Sequence, residues 1–340
     1  MQKRNGVMTD FCTTVAAIKH PRNVRALFPL AAKQPGRSPS YRVGEDVVRL
    51  GKLIGEGASG RVYRCVYRRR SVVVKLNVNP SQREDMHEAL MQARLYCHLR
   101  DTGQTGAHLA HVPEAFFAAT LPDLGRVLGM QRVDVPLLRF AGEQRSIQPL
   151  RDVLHKVCEL LVVLQRDLAF MHGDLHGENV MLVGKEVFLI DFGMSSARFG
   201  SQRRMTTDVR YDGVRFHPQL DLLTLLTSLR EDLAEARRPA LASWCGAFVD
   251  PFWKVVRDGI VYHRPSRKYG AHQTVRVGLD TLAKDDEIYY AHHLLYEEIG
   301  RVNYPDCDPR RMRTLLARVP TSLGTVAPLA STFLFEGVVV

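Results

Sequence analysis

Three oxygen-bearing side chains lie close together in the stretch HGDLHGENVMLVGKEVFLIDFG, residues 172–193. Asp174, Asn179 and an Asp191 that is followed by Phe-Gly form the order H-x-D-x-x-x-x-N and then D-F-G. An enzyme that transfers a phosphoryl group needs a side chain that accepts the hydroxyl proton, and oxygen ligands that hold Mg²⁺ against the phosphates. Asp174 suits the first task. Asn179 and Asp191 suit the second, because carboxylate and amide oxygens are hard ligands.

A helix and two strands must position these side chains. Apolar residues recur at three- and four-residue steps from Pro149 to Met171 and predict a helix that supports the loop with Asp174 and Asn179. One strand is predicted to begin at Val180 and a second to cover Glu186–Ile190, just before the second aspartate. Adjacent strands would bring the three oxygen ligands to one edge.

A glycine-rich segment occurs far upstream and matches G-x-G-x-x-G-x-V. Dinucleotide-binding folds use similar glycines to open a helix. Here two β-rich runs follow, joined by a basic turn at Arg68–Arg70, which predicts a hairpin that covers phosphates with backbone N–H groups. The nucleotide-binding residues predicted in this segment are Gly55, Glu56, Gly57, Ala58, Ser59, Gly60 and Val62, the last packing on adenine.

Lys75 ends the run Val72–Lys75 and corresponds to the lysine of V-A-I-K. Its ammonium group would reach the α- and β-phosphates, and it needs a carboxylate from the next helix to hold it. That helix is predicted over Ser81–Leu99, where Glu84 and Glu88 are the candidate partners. We favour Glu88, which lies about two turns into the helix. The alternative is that both glutamates are solvated charges on a helix face.

Together these motifs resemble the eukaryotic-type protein kinases over about residues 48–235, and on to about 320. The resemblance implies an α+β fold with two lobes, a β-rich N-lobe and a mainly helical C-lobe, with ATP bound in the cleft. The domains expected are a flexible basic arm over residues 1–44, the N-lobe over 45–133, the C-lobe over 134–320 and an apolar segment over 321–340.

The same resemblance places the adenine-binding segment at Gly129–Asp134, after a strand over Arg126–Leu128. Backbone groups of Gln131 to Val133 would bind adenine, with Met130 behind them. The cofactors implied are ATP and Mg²⁺, and the reaction implied is transfer of the γ-phosphate to Ser or Thr hydroxyls of protein substrates. Serine and threonine are inferred from how common such kinases are in the family.

Several positions depart from the family pattern. Gly173 replaces the Arg that grips a phosphorylated activation segment, and His176 replaces the Lys of Ser/Thr kinases. We therefore do not expect activation by phosphorylation there. Asp221 is expected to be a buried anchor of the catalytic-loop backbone. The departures resemble divergent kinases of large DNA viruses such as the herpesviruses, the small atypical kinases of the tRNA-modification complex, and lipopolysaccharide-type kinases.

Two other functions were considered. Small-molecule phosphotransferases of the aminoglycoside or sugar-kinase type also often read HGDxxxxN, although they generally lack the glycine-rich loop followed by VVVK. A pseudokinase that serves as a binding scaffold is disfavoured because every chemistry-bearing residue is present.

Composition is that of an ordinary globular protein, with 340 residues, 45% hydrophobic and 24% charged residues. The six cysteines show no metal-ligand spacing, and we expect free thiols in a reducing intracellular compartment, cytoplasm or nucleus. No secretory signal and no membrane span are expected.

The net charge of +11 is unevenly placed, because residues 1–44 contain eight basic residues and one acidic residue. This arm would bind an acidic partner or nucleic acid, or would simply be solvated. The apolar segment over residues 321–340 would pack on the C-lobe or on a partner.

Overall fold

The computed structural model of the chain describes residues 11–18, 21–36, 39–57, 60–76, 83–104, 106, 108–200, 205–206, 216–259, 262–265, 272–275, 302–303, 307–318 and 334–335. The chain divides into two compact units. The first comprises Met1–Val135 and Met181–Asp212, and the second comprises Pro136–Val180 and Gly213–Val340.

The first unit is built around a seven-stranded antiparallel sheet. Its strands are β1 (Ala32–Gln34), β2 (Ser40–Val43), β3 (Asp46–Gly57), β4 (Gly60–Tyr67), β5 (Arg70–Leu76), β6 (Ala115–Leu121) and β7 (Gly125–Gln131), in the order β1-β2-β3-β4-β5-β7-β6. Val48, Val72 and Phe117 lie on three of these strands, and their side chains are buried in one hydrophobic core of the sheet. Leu30, just before β1, pairs with Thr120 of β6 at the opposite edge, so the sheet is curled.

The turn between β4 and β5 is the predicted basic hairpin. Tyr67 pairs with Arg70, and the two residues between them, Arg68 and Arg69, have φ of +50° and +63°. These are the dihedral signs of the tight turns that match the twist of a hairpin. Arg68 also donates to the carboxylate of Asp46 at 2.8 and 2.5 Å, which ties the turn to the start of β3.

The N-terminal segment of the first unit is folded rather than a flexible arm. It forms α1 (Phe11–Ala17), a 3₁₀ helix (Pro21–Leu27) and then the first two strands, and its larger helical neighbour is α2 (Arg83–Asp101). Val15, Ile18, Val24 and Leu27 are each at most 4% exposed. The expectation of a flexible arm over residues 1–44 is therefore wrong for the described residues, because sparse apolar side chains without local periodicity are buried against a helix distant in sequence.

A disulfide links this N-terminal segment to α2. Cys12 and Cys97 are bonded, with their Cα atoms 5.5 Å apart and a sequence separation of 85. The expectation that all six cysteines are free thiols is wrong for this pair, because no local spacing signals a bond between such distant residues. Cys65, Cys158, Cys245 and Cys307 are free and buried.

The first unit also takes in part of the region that we assigned to the C-lobe. This part contains β10 (Glu186–Leu189), β11 (Ser196–Ala197) and β12 (Met205–Thr206), and β9 (Val180–Val183) begins just before it. The backbone of His111 bonds to Val187 and Leu189 at 2.7 and 2.8 Å, which holds β10 within the first unit. The boundary after residue 133 is otherwise close to the division at Val135, inside β8 (Val135–Pro136).

The second unit is mainly helical. Its helices are α3 (Leu137–Glu143), α4 (Gln148–Leu168), α5 (Leu220–Glu235), α6 (Pro239–Gly259) and α7 (Pro309–Arg318). The apolar face of α4 is fully buried, and the helix ends at Ala169, which has φ of +45°. Trp253 of α6 donates to Thr227 of α5 at 2.9 Å, and Arg313 of α7 pairs with Glu159 of α4 at 3.1 Å.

Two short antiparallel strand pairs complete the described part of this unit. They pair β13 (Tyr262–Pro265) with β14 (His272–Val275), and β15 (Val302–Asn303) with β16 (Leu334–Phe335). Apart from β16, the apolar segment predicted over residues 321–340 lies outside the described residues. Within the ranges given above, the structure contains no helix with the length and apolar character to cross a membrane.

Candidate functional site

Lys75 and Glu88 form a buried ion pair in the first unit. Lys75 lies near the end of β5, and its Nζ is 2.5 Å from Oε1 of Glu88 on α2. Glu88 is only 7% exposed. The structure thus brings the lysine to the carboxylate that we favoured. Glu84 lies on the same helix, but its side chain is outside the described residues.

Asp191 is the second carboxylate at this lysine. Its Oδ1 lies 3.3 Å from Nζ of Lys75 and accepts a hydrogen bond from the backbone N–H of Gly193 at 3.4 Å. Asp191 has φ of +61°, in the left-handed region that aspartate tolerates better than most residues. The neighbouring Phe192 is fully buried. Backbone strain of this kind costs about 1–3 kcal/mol and occurs mostly at functional sites.

Electrostatics keeps the lysine charged. Burial by itself would lower the pKa of Lys75, because it disfavours the charged amine. The negative charges of Glu88 and Asp191, and the hydrogen bonds to them, outweigh burial and raise the pKa above its ordinary value. An ammonium group fixed in this way is suited to binding phosphate oxygens.

The glycine-rich hairpin lies on the strands next to Lys75. Gly57 pairs with Gly60 and Gly55 with Val62, and Val62 in turn pairs with Lys75 of β5. This register puts Val62 beside the lysine. The tip residues Ala58 and Ser59 lie outside the described residues. Glu56 next to the tip forms an exposed ion pair with Arg61 at 2.7 Å.

The segment that we expected to bind adenine is only partly available. Gln131 ends β7, and its backbone N–H donates to the carbonyl of Glu114 at 2.8 Å, so this N–H is not free for a base. β7 continues as a paired strand up to this residue. That backbone groups of Gln131 to Val133 bind adenine stays a prediction, which depends on the other backbone groups of this segment. Val133 follows β7 and is flanked by an ion pair between Arg132 and Asp134 at 2.6 Å. Met130 is buried.

In the second unit, Asp174 and Asn179 share one short loop. The amide nitrogen of Asn179 donates to the backbone carbonyl of Asp174 at 2.8 Å and lies 3.0 Å from Nε2 of His176. With its nitrogen used in this way, Asn179 has its amide oxygen left for another ligand. The same Nε2 of His176 is 3.9 Å from the carboxylate of Asp174. The histidine therefore sits between the two predicted functional side chains.

Asp221 at the start of α5 anchors this loop, as the sequence predicted. Its two carboxylate oxygens accept hydrogen bonds from the backbone N–H groups of His172 and Gly173 at 2.9 and 3.0 Å. Gly173 has φ of +81°, which glycine adopts without the steric cost that a Cβ would bring. The residue that replaces the family's arginine thus matches the backbone conformation of the loop.

Two residues that support this loop were missed by sequence reasoning. The backbone N–H of Gly177 donates to Ser228 Oγ at 3.4 Å, and Ser228 donates to Asp232 at 3.0 Å. Burial raises the pKa of Asp232, although the hydrogen bond from Ser228 opposes that rise. The sequence signal for them is weak, because Ser228 and Asp232 lie four residues apart among several other polar residues of α5.

Asn179 and Asp191 each carry an oxygen ligand of the kind that Mg²⁺ prefers. Within the residues that the structure describes, there is no group of three or more His, Cys, Asp or Glu side chains that could hold a metal ion. Mg²⁺ is usually bound through one or two carboxylates together with water and substrate phosphates. The amide oxygen of Asn179 and the carboxylate of Asp191 have this chemistry. Asn179 belongs to the second unit and Asp191 to the first.

The chain was compared with models of known protein families. The model of the Phosphotransferase enzyme family (APH) matches residues 89–198, about a third of the chain. That stretch contains Asp174, Asn179 and Asp191 but neither Lys75 nor the glycine-rich hairpin. A comparison with curated proteins finds no match.

The family match supports a kinase-like family and indicates a phosphotransferase, an activity that implies the use of ATP. The curled antiparallel sheet of one unit and the helices of the other agree with it. The predicted fold class, a two-lobed α+β kinase-like fold, is confirmed.

Proposed function

We propose that the protein is an ATP- and Mg²⁺-dependent kinase that transfers the γ-phosphate of ATP to Ser or Thr hydroxyls of protein substrates. The observation that carries this proposal is the largely buried Lys75, held by Glu88 and Asp191. A lysine fixed between two carboxylates is the phosphate ligand of protein kinases, in which the Lys–Glu pair must be formed for activity.

Each predicted residue has a task in this reaction. The acceptor oxygen forms a bond to the γ-phosphorus while the bond to the β–γ bridging oxygen breaks, and ADP leaves. Asp174 orients the acceptor hydroxyl and takes its proton on a carboxylate oxygen. Lys75 and the backbone N–H groups of the glycine-rich hairpin hold the phosphates. Val62 packs on adenine and Val133 supplies backbone hydrogen bonds to it.

Asn179 and Asp191 would hold Mg²⁺, which neutralises negative charge on the phosphate oxygens when it is bound. The hydrogen bond from Asn179 to the carbonyl of Asp174 supports this role, because it fixes the amide with its oxygen free. Asp221 holds the loop through His172 and Gly173, so the proton acceptor does not depend on a phosphorylated segment for its position.

Protein acceptors are favoured over small molecules by the N-terminal motifs. The complete G-x-G-x-x-G-x-V lies on paired strands and is followed by Lys75 on the next strand. Small-molecule phosphotransferases generally lack this loop. The similarity to kinases of large DNA viruses or of the tRNA-modification complex stays a prediction, as does the binding of an acidic partner or nucleic acid by the N-terminal residues.

A small-molecule phosphotransferase is the second candidate. Two observations favour it: the match to the Phosphotransferase enzyme family, whose members include small-molecule kinases, and Gly173 in the loop His-Gly-Asp. The match covers residues 89–198 and Gly173 lies in the catalytic loop, whereas the choice of acceptor also depends on other surfaces.

The test is an assay of label transfer from [γ-³²P]ATP with Mg²⁺. Purified protein is incubated with basic proteins in one set of reactions, and with aminoglycosides and sugars in another. We expect label on Ser or Thr of proteins and its loss in Asp174→Asn. Label on small molecules alone would support the second candidate, and transfer unchanged in Asp174→Asn would reject the assigned proton acceptor.

A further inference from the structure

The N-terminal segment Phe11–Phe28 packs on the helix that carries Glu88. Both α1 and the 3₁₀ helix contact α2. Val15 and Ile18 are buried there, and the Cys12–Cys97 disulfide joins the segment covalently to the same helix. This packing is extensive for a segment that precedes the sheet and contains none of the phosphoryl-transfer motifs.

Arg94 lies at the centre of this packing. It is 9% exposed, and its guanidinium donates to the backbone carbonyl of Ile18 and to the thioether of Met205. Its Cζ also lies 5.1 Å from the centroid of the Phe199 ring. These contacts join three segments: the N-terminal segment, α2, and the residues that follow the Asp-Phe-Gly sequence.

Breaking these contacts of Arg94 costs free energy, because the guanidinium is buried. A buried guanidinium is costly unless its donors and its charge are satisfied, and burial here lowers the pKa of Arg94. Among the residues described by the structure, its partners are a carbonyl, a sulfur atom and an aromatic ring rather than a carboxylate. If α2 moved away from Ile18, the guanidinium of Arg94 would lose its hydrogen bond to the Ile18 carbonyl.

The geometry of α2 connects Arg94 to the lysine. Glu88 precedes Arg94 by six residues on one continuous helix, a rise of about 9 Å at 1.5 Å per residue. Phe28, at the end of the N-terminal segment, lines the same small cavity as Lys75 and Glu88. The segment therefore contacts α2 at Arg94 and Cys97. Its last residue, Phe28, lies at the cavity beside the Lys75–Glu88 ion pair.

We propose that Phe11–Phe28 is a built-in brace that holds α2 in the position where Glu88 meets Lys75, and that Arg94 is the positioning residue joining this brace to the segment around Phe199 and Met205. The inference rests on the proposed function for its effect on ATP turnover. Such a brace orders α2 and the segment around Phe199 and Met205. It does so without the arginine that binds a phosphorylated activation segment in the family, a position that Gly173 occupies here.

The brace is tested first without any assay of activity. Hydrogen–deuterium exchange is measured on wild type, Arg94→Met, Arg94→Lys and the double variant Cys12→Ser/Cys97→Ser. The matched control is Arg100→Met, because Arg100 lies on the same helix and forms an exposed ion pair with Asp101. We expect faster exchange over residues 83–101 and 195–206 in Arg94→Met, a smaller change in Arg94→Lys, and wild-type exchange in Arg100→Met.

The second readout is the split between KM for ATP and kcat. We expect Arg94→Met to raise KM for ATP and lower kcat, by about 10- to 100-fold in kcat/KM, since misplacement far from the chemistry can cost that much. The loss of kcat/KM should be smaller in Arg94→Lys than in Arg94→Met. The Cys12→Ser/Cys97→Ser variant should also lose kcat/KM.

The outcomes separate the two proposals. Wild-type exchange over α2 in Arg94→Met, or faster exchange spread equally over α4, would overturn the brace. If Arg94→Met yields no folded protein, Arg94→Lys and the cysteine variant decide by the same criteria. A wild-type protein that never transfers phosphate from ATP would overturn the proposed function, while exchange over α2 would still decide whether the brace exists.

Discussion

The carboxylate of Asp221 accepts hydrogen bonds from the backbone N–H groups of both His172 and Gly173, at 2.9 and 3.0 Å, and it is fully buried. Asp221 begins α5, 47 residues after Asp174. One side chain thus holds two consecutive peptide groups, immediately before the proposed proton acceptor. The shape of the catalytic loop depends on this contact.

Asp221→Asn should destabilise the protein by about 2 kcal/mol, because hydrogen bonds to buried charged groups contribute about 1.5–3 kcal/mol. An asparagine has one oxygen for two N–H groups, and its amide nitrogen would face a donor. The free energy of unfolding is measured with urea. Asp250→Asn is the control, because Asp250 forms an exposed pair with Arg230 and should change stability by less than about 1 kcal/mol. Equal effects of the two substitutions would contradict the anchoring role.

Gly129→Ala should destabilise the first unit. A Cβ at this position would lie 2.2 Å from Cε1 of Phe117, whose ring is buried in the core of the sheet. Overpacking of this kind costs about 1–3 kcal/mol.

The matched control is Gly142→Ala in α3, where an added Cβ meets no atom within 4 Å. It should be stabilising by about 0.5 kcal/mol, since alanine restricts the unfolded chain and favours the helix. Thermal unfolding followed by circular dichroism measures both variants. A melting temperature for Gly129→Ala at or above that of wild type would show that Phe117 moves aside freely.

The ion pair between Asp46 and Arg68 should contribute to stability in a pH-dependent way. The hydrogen bond from Arg68 lowers the pKa of Asp46 from its ordinary 3.8, partial burial opposes this, and Tyr67 reinforces it. A lowered pKa in the folded state stabilises the protein above about pH 3.8, and this stabilisation is lost as the pH falls through the folded pKa.

The melting temperature of wild type should therefore exceed that of Asp46→Asn at neutral pH, and the difference should shrink below about pH 4. Asp101→Asn, at an exposed pair with Arg100, should differ little from wild type at any pH. If the difference in melting temperature between wild type and Asp46→Asn grew as the pH fell, it would contradict a lowered pKa of Asp46 in the folded state.

Lys75→Met and Glu88→Gln should lower the rate of phosphate transfer in a coupled way. Lys75→Met removes the proposed phosphate ligand, and we expect a loss of about 100-fold or more in kcat/KM, in the range found for lost transition-state donors. Glu88→Gln should cost less, because the lysine keeps Asp191 as a partner at 3.3 Å.

The double variant should lose little more than Lys75→Met alone, because Glu88 acts through the lysine. Initial rates at varied ATP concentration measure the effects. Losses that multiply independently would show that the glutamate acts by another route.

The sequence determined which residues could do chemistry, and which local elements hold them. Apolar patterns located α2, α4, β7 and β10 to within a few residues, because these periods follow from the geometry of one strand or helix. The motifs around Lys75, Asp174 and Asp191 have fixed spacing along the chain, so they could be identified before any fold was known.

Only the tertiary structure decided which distant groups meet. Two glutamates of α2 were candidates for the lysine, and the packing of the helix against the sheet brings Glu88 to it. The Cys12–Cys97 bond, the burial of Arg94 and the folded N-terminal segment also arise from contacts between residues far apart in sequence. Such contacts depend on how whole elements pack, and no local period encodes them.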